Sequence, residues 1–374
     1  MTDAPGPTRS WVQRVTRSPI YRFVSKIALY VTIALFLIQL PQLVNGRWAE
    51  VGLEAALQLF VMGWLLLLTF RTRTVSIRSV LSFWFVGFFA VIVLVFAFVV
   101  PVSYLFGEQS GFVKGFWVPI MEELLKALPL IVVLATALRR PQFQLAISDM
   151  LILGLAVGFG YAFHEDALWG RIGADGFGGS FWGVFFPTFY YENLFTVAHA
   201  GWTALIGLAL GWWYFFRHKK FMWLIPAFVS GAVILDHMRL NYRGAGKIGD
   251  LMEYMVGSGR MLAEFLVFGI VVTVVFELII LWKQNRRDQI LDGINAKDLL
   301  HIGQGQALLD RLKALHAAII YMRTRNASHY AVWRWRREEQ LVPTGAFLPV
   351  IEALQGWRRE AGLPDASFDT TRVS

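Results

Sequence analysis

The chain has 374 residues, of which 56% are hydrophobic, 15% aromatic and only 16% charged, and its mean hydropathy is +0.52. A soluble domain of this length cannot hide so much apolar side chain, so the composition excludes an ordinary globular enzyme and points to an integral membrane protein. There are no cysteines, which removes structural disulfides, thiol nucleophiles and cysteine-ligated metals together. The net charge of +9 gathers at the ends of apolar runs, as loops facing anionic headgroups require, and no nucleic-acid partner is expected. Residues 1–18 lack an apolar core followed by a small-residue cleavage site, so no cleaved signal peptide is expected.

Taking apolar runs of about 20 residues in chain order gives about eight candidate spans, each long enough for a hydrocarbon core of about 30 Å. They cover 26–45, 53–70, 80–105, 116–138, 148–169, 187–216, 221–241 and 261–283. Basic residues fix the orientation. Arg14, Arg17, Arg22 and Lys26 precede the first span, and Arg71, Arg73 and Arg78 follow the second. Arg139 and Arg140 follow the fourth, Arg217, Lys219 and Lys220 the sixth, and Lys283, Arg286 and Arg287 the eighth. Every even-numbered exit is basic, which predicts that both termini are cytoplasmic. The outer loop 239–260 also carries Arg and Lys, mixed with Asp250 and Glu253.

Two outer loops, 171–180 and 241–249, are glycine-bearing and read as irregular connections. After Asn285 the composition becomes that of a soluble helical segment, including the run Trp333-Arg334-Trp335-Arg336-Arg337. No internal repeat is visible. The expected fold class is all-α: a polytopic membrane protein with a small helical cytoplasmic tail. Its parts are a cytoplasmic segment 1–25, three N-terminal spans over 26–115, a five-helix core over 116–283 and the tail 284–374.

Within the apolar runs, polar groups are conspicuous because one charge near the centre of a membrane helix costs roughly 2.5 to 3.5 kcal/mol. The fourth span contains Glu122-Glu123-Leu124-Leu125-Lys126. Glu122 and Lys126 are four apart and can pair, whereas Glu123 points about 100° away. The fifth span is rich in Gly and Ala and delivers His164-Glu165-Asp166 near its outer end. The sixth carries Glu192, Asn193 and His199, with Gly207 and Gly211 farther in, and a span beginning at 187 places His199 well inside the apolar slab. The seventh ends in Asp236-His237-Met238-Arg239-Leu240-Asn241, with His237 and Asn241 on one face. Four consecutive helices thus offer acid, imidazole and amide at similar depth, which predicts one shared site.

Those groups allow two mechanisms. Glu122 can take a proton from water while His237 and Asn241 stabilise an oxyanion. Alternatively His199, His237 and a Glu such as Glu165 can ligate zinc or another divalent ion, leaving one position open for an activated water. A transporter using the Glu/His set as a relay is the competing class, and it requires repeated halves and a polar path to both faces. A non-catalytic membrane scaffold is a third.

These motifs resemble the PrsW-type intramembrane proteases, within the wider superfamily of CAAX-processing and bacteriocin-processing membrane proteases. The matching segments are Glu122-Glu123-Leu124-Leu125-Lys126, Phe163-His164-Glu165, Phe195 to His199, His199 to Gly207 and His237 to Asn241. Trp169 stands where the family usually has Tyr. The resemblance covers roughly 116–241 and implies a helical membrane protease of the bacterial cytoplasmic membrane. It implies Glu122, Glu123, Glu165, His199, His237 and Asn241 at the site, with Lys126, Phe195 and Gly207 supporting. It further implies cleavage of a membrane-anchored protein near its extracytoplasmic side, such as an anti-sigma-factor-like single-pass protein. The family is often called a metalloprotease, while better-understood relatives are described as using a glutamate-activated water.

Overall fold

The structure, a computed structural model, describes residues 48–108, 110–139, 144–169, 189–191, 194–242 and 247–287, together with Tyr330 and isolated positions between 33 and 41. Two compact units divide the chain, Met1–Gly52 and Leu53–Ser374, and every site residue belongs to the second. In order, the elements are α1 (Trp48–Leu68), α2 (Ile77–Phe85), a wide π-type turn (Val86–Val91) and α3 (Ile92–Phe106). A second π-type turn (Val113–Trp117) leads into α4 (Val118–Arg139), followed by α5 (Ile147–Trp169). Then come strands β1 (Phe189–Tyr191) and β2 (Leu194–Thr196), and helices α6 (Ala198–Phe216), α7 (Leu224–Asn241), α8 (Lys247–Met255) and α9 (Arg260–Arg287).

Four stretches among the described residues are long and apolar enough to cross a membrane: Val51–Leu68, Ile77–Phe106, Ile147–Asp166 and Asp250–Lys283. Of the other expected spans, 26–45 falls almost wholly outside the described residues, 116–138 holds buried Glu122, Glu123 and Lys126, 221–241 holds buried Asp236, His237 and Arg239, and the helix in 187–216 begins only at Ala198. The expectation of a helix from 187 is corrected. The strands β1 and β2 form an antiparallel hairpin pairing Phe189 with Thr196 and Tyr191 with Leu194, so the fold is helical apart from this short ribbon. The turn into α6 runs through Ala198, whose φ of 47° is unusual for a residue bearing a Cβ. His199 therefore sits in the first turn of α6 rather than deep along it. The loop 241–249 also gains structure, since α8 begins at Lys247. The expected loop 171–180 and nearly all of the tail 284–374 lie outside the described residues.

The centre of the second unit is α5, 89% of whose spanning stretch is buried. Glycines explain how its neighbour comes so close. A Cβ on Gly154 or Gly158 would overlap the α6 backbone at Thr203 or His199, and a Cβ on Gly207 would overlap Met150 of α5. Two helices bearing small residues four apart thus mate backbone to backbone, the usual solution where lipid offers no hydrophobic drive. The N-terminal end of α5 is tied down by Asp149, whose carboxylate accepts the N–H groups of Thr74, Val75 and Ala146 and the Thr74 hydroxyl. Glu277 of α9 accepts the Ser148 N–H at 2.9 Å. Tyr330, from the tail, donates to the Thr72 carbonyl at 2.9 Å and meets the Phe215 ring edge-on at 5.7 Å. Burial, with Glu277 and Asp149 close by, holds the Tyr330 hydroxyl well above its ordinary pKa, so it stays a donor.

Candidate active site

The helix α4 turns Leu124 and Leu128 outward and Glu122, Glu123 and Lys126 inward. All three inward residues are buried, and Lys126 is wholly so. The expected Glu122–Lys126 pair does not form. Lys126 Nζ instead lies 2.5 Å from Glu123 Oε1, because residues three apart are also neighbours on a helix and a second partner decides between them. That partner is His199, whose Nδ1 lies 2.7 Å from Lys126 Nζ. An ammonium has no lone pair, so Nδ1 accepts and Nε2 carries the proton. Nε2 faces the Glu165 carboxylate, 2.7 Å from Oε2, as an ion-pair contact.

His237 approaches from α7. Its Nδ1 lies 2.9 Å from Glu123 Oε1, and a carboxylate only accepts, so Nδ1 carries hydrogen and the neutral imidazole presents its lone pair at Nε2. That lone pair faces Glu122 Oε2 across 3.8 Å. Glu122 Oε2 is buried and has no hydrogen-bond partner. Two acceptors separated by this gap require a donor or a cation between them. The two atoms therefore present adjacent unpaired acceptors to a bridging water or a metal ion. His199 Nδ1 lies 4.0 Å from the same Glu122 oxygen. Tyr161, buried one helical turn before Glu165, places its ring under Lys126 Nζ at 4.7 Å.

Glu122, Glu123, His199, His237, Lys126 and Glu165, expected from sequence to share a site, are thus in mutual reach. Asn241 ends α7 and donates its amide to the Lys114 carbonyl at 2.9 Å, clamping α7 to the π-type turn before α4. Gly207, about 12 Å along α6 from His199, acts in the α5–α6 seam. The side chains of Phe195 and Trp169, and Glu192 and Asn193 altogether, lie outside the described residues. His164 packs on Phe88 at 4.7 Å rather than joining the cluster. Two residues escaped the sequence reading. Trp202 sits three residues after His199, at helical spacing, and Asp236, quoted in the 236–241 run but given no role, directly precedes His237; these were the available signals.

A metal fits the donor set. Glu122, Glu123, His199 and His237 offer ligand atoms that all lie within 4.8 Å of one another, and one oxygen of each carboxylate is buried without a hydrogen-bond partner. Glu165, at Nε2, stands behind His199 in the carboxylate–histidine relation that orients ligating imidazoles, and His199 would ligate through Nδ1 once Lys126 releases it.

Apolar helices that keep two imidazoles, three carboxylates and an ammonium in one buried cluster define an integral membrane protein built to carry out proton or metal chemistry inside the bilayer. The sequence model of one family, described as PrsW family intramembrane metalloprotease, matches residues 72–275, more than half of the chain. The chain belongs to that family and is a PrsW-like intramembrane protease, a hydrolase whose substrate is a membrane protein. The match reaches further on both sides than the 116–241 stretch that carries the motifs. No curated protein and no solved structure matches the chain.

Proposed function

We propose that the chain is an endopeptidase that cuts a membrane-anchored protein near the extracytoplasmic side, with Glu122 as general base. The observation that carries this is the 3.8 Å gap between the Glu122 and His237 acceptors. A water there donates one hydrogen to each. Glu122 takes a proton as the water oxygen bonds to the scissile carbonyl carbon, then returns it to the nitrogen of the breaking C–N bond. Lys126 neutralises Glu123, which keeps Glu123 as the hydrogen-bond acceptor that orients His237, and Glu165 orients His199. Asn241 spends one amide hydrogen on Lys114, and its second serves the oxyanion. Glu122, Glu123, His199 and His237 would hold a divalent ion, zinc foremost, which would supply an acidified water there.

The finer layout follows the same reading: about eight spans with both termini cytoplasmic, a protease core over 116–283 and a cytoplasmic tail over 284–374, in a bacterial cytoplasmic membrane. It places the chain with the wider CAAX-processing superfamily and makes an anti-sigma-factor-like single-pass protein the first substrate to try. The test is cleavage of labelled single-pass peptides in liposomes. Glu122→Gln and His237→Ala are expected to lower the rate by about 100-fold or more. Loss of cleavage on chelation with recovery on added zinc assigns a metal-bound water, and cleavage that survives chelation assigns the water to Glu122 alone. Cleavage that survives both substitutions overturns the assignment.

A further inference from the structure

One aromatic ring touches both histidines of the site. Trp202 is 1% exposed, although tryptophan in membrane proteins ordinarily sits at the interface with its N–H in water. Its ring stacks on His237, with centroids 4.5 Å apart and planes 21° apart. It meets His199 edge-on at 5.2 Å and 83°, and Lys126 Nζ lies 5.6 Å from its centroid.

The indole is itself anchored. Its N–H donates to Asp236 Oδ2 at 2.8 Å. The other Asp236 oxygen accepts from Arg239 Nε and Nη2, both at 2.9 Å. Asp236 and Arg239 are both buried, and Arg239 reaches on to Glu253 of α8 at 3.4 Å. A buried ion pair is a poor source of stability compared with apolar residues of equal volume. Its placement on either side of His237, holding the ring that covers His237, gives it a different use.

An imidazole turns easily about its last torsion, and a half-turn puts Cδ2 in the place of Nδ1 and Cε1 in the place of Nε2, taking both nitrogens away from their partners. Passing through that half-turn drives the ring edge into a stacked indole. We propose that Trp202, locked by Asp236 and Arg239, is the positioning residue that keeps His237 Nδ1 on Glu123 and Nε2 toward Glu122. Its catalytic consequence rests on the proteolytic reading above; the positioning itself does not.

The test uses the full chain in nanodiscs with ¹⁵N-labelled histidine, the His237 signals being assigned by their loss in His237→Ala. The wild type is expected to show one fixed tautomer at His237, protonated at Nδ1. Trp202→Ala is expected to give averaged ring-nitrogen signals, and Trp202→Phe, which keeps an aromatic face, to restore the fixed form. In the cleavage assay Trp202→Ala is expected to lower kcat about tenfold with KM within about twofold, and Trp202→Phe to recover most of it. Should Trp202→Ala not fold, Trp202→Leu fills most of the volume without an aromatic face and carries the same expectation. Wild-type His237 signals in the Ala or Leu variant, or a Phe variant no better than Ala, overturn the proposal. If the signals shift as expected while Glu122→Gln still cleaves normally, positioning stands and the proteolytic assignment of Glu122 falls.

Discussion

Lys126 shows how single residues hold this site together. Its ammonium is fully buried between Glu123 and His199, at 2.5 and 2.7 Å, and it is the one cation in direct contact with Glu123 among the described residues. Replacing it by Met keeps the length and apolar stem but leaves a buried carboxylate uncompensated, a loss of about 3–5 kcal/mol. Glu123→Gln in the Lys126→Met background is expected to recover a large part of that loss, because the stranded charge is gone. Denaturant unfolding in detergent micelles reads both numbers, and a Lys126→Met protein as stable as wild type contradicts this account of the pair.

At the scale of elements, the α5–α6 seam sets where His199 stands. Gly158 packs against the backbone at His199 and Ala200, while Gly231 of α7 has nothing within 4 Å of where its Cβ would be. Gly158→Val is therefore expected to force the helices apart, costing about 1–3 kcal/mol or more, and to misplace His199. Gly231→Ala is expected to be neutral or to stabilise by about 0.5–1 kcal/mol, since it only removes the flexibility of a helical glycine. Melting curves of the two variants side by side make the comparison, and equal effects would sink the seam as the cause.

For the molecule as a whole, orientation in the bilayer can be read because the chain has no cysteine to remove. Single cysteines at two exposed positions, Asp250→Cys in α8 and Lys219→Cys after α6, report opposite sides. With both termini cytoplasmic, a membrane-impermeant thiol reagent is expected to label the first in intact cells and the second only after permeabilisation. The reverse pattern would invert the topology and move the cleavage site to the cytoplasmic side.

Composition alone places this chain in a membrane, and the cost of burying charge is enough to pick out Glu122, Glu123, Glu165, His199 and His237 as one set, because they violate the same local rule in four consecutive apolar runs. Pairing within the set is a different matter. Helical spacing allows Lys126 to meet either glutamate, and His199 on another helix makes the choice. The start of α6 was equally out of reach, since Phe189–Tyr191 and Leu194–Thr196 are apolar enough to continue a span and become a hairpin only through partners across the turn. Trp202 and Asp236 read locally as an aromatic and an acid near a helix end; their hold on His237 appears only when α6 and α7 are packed together. Local patterns carry the energetic cost of a residue in lipid, whereas the partner that relieves that cost is chosen by helices distant in the chain.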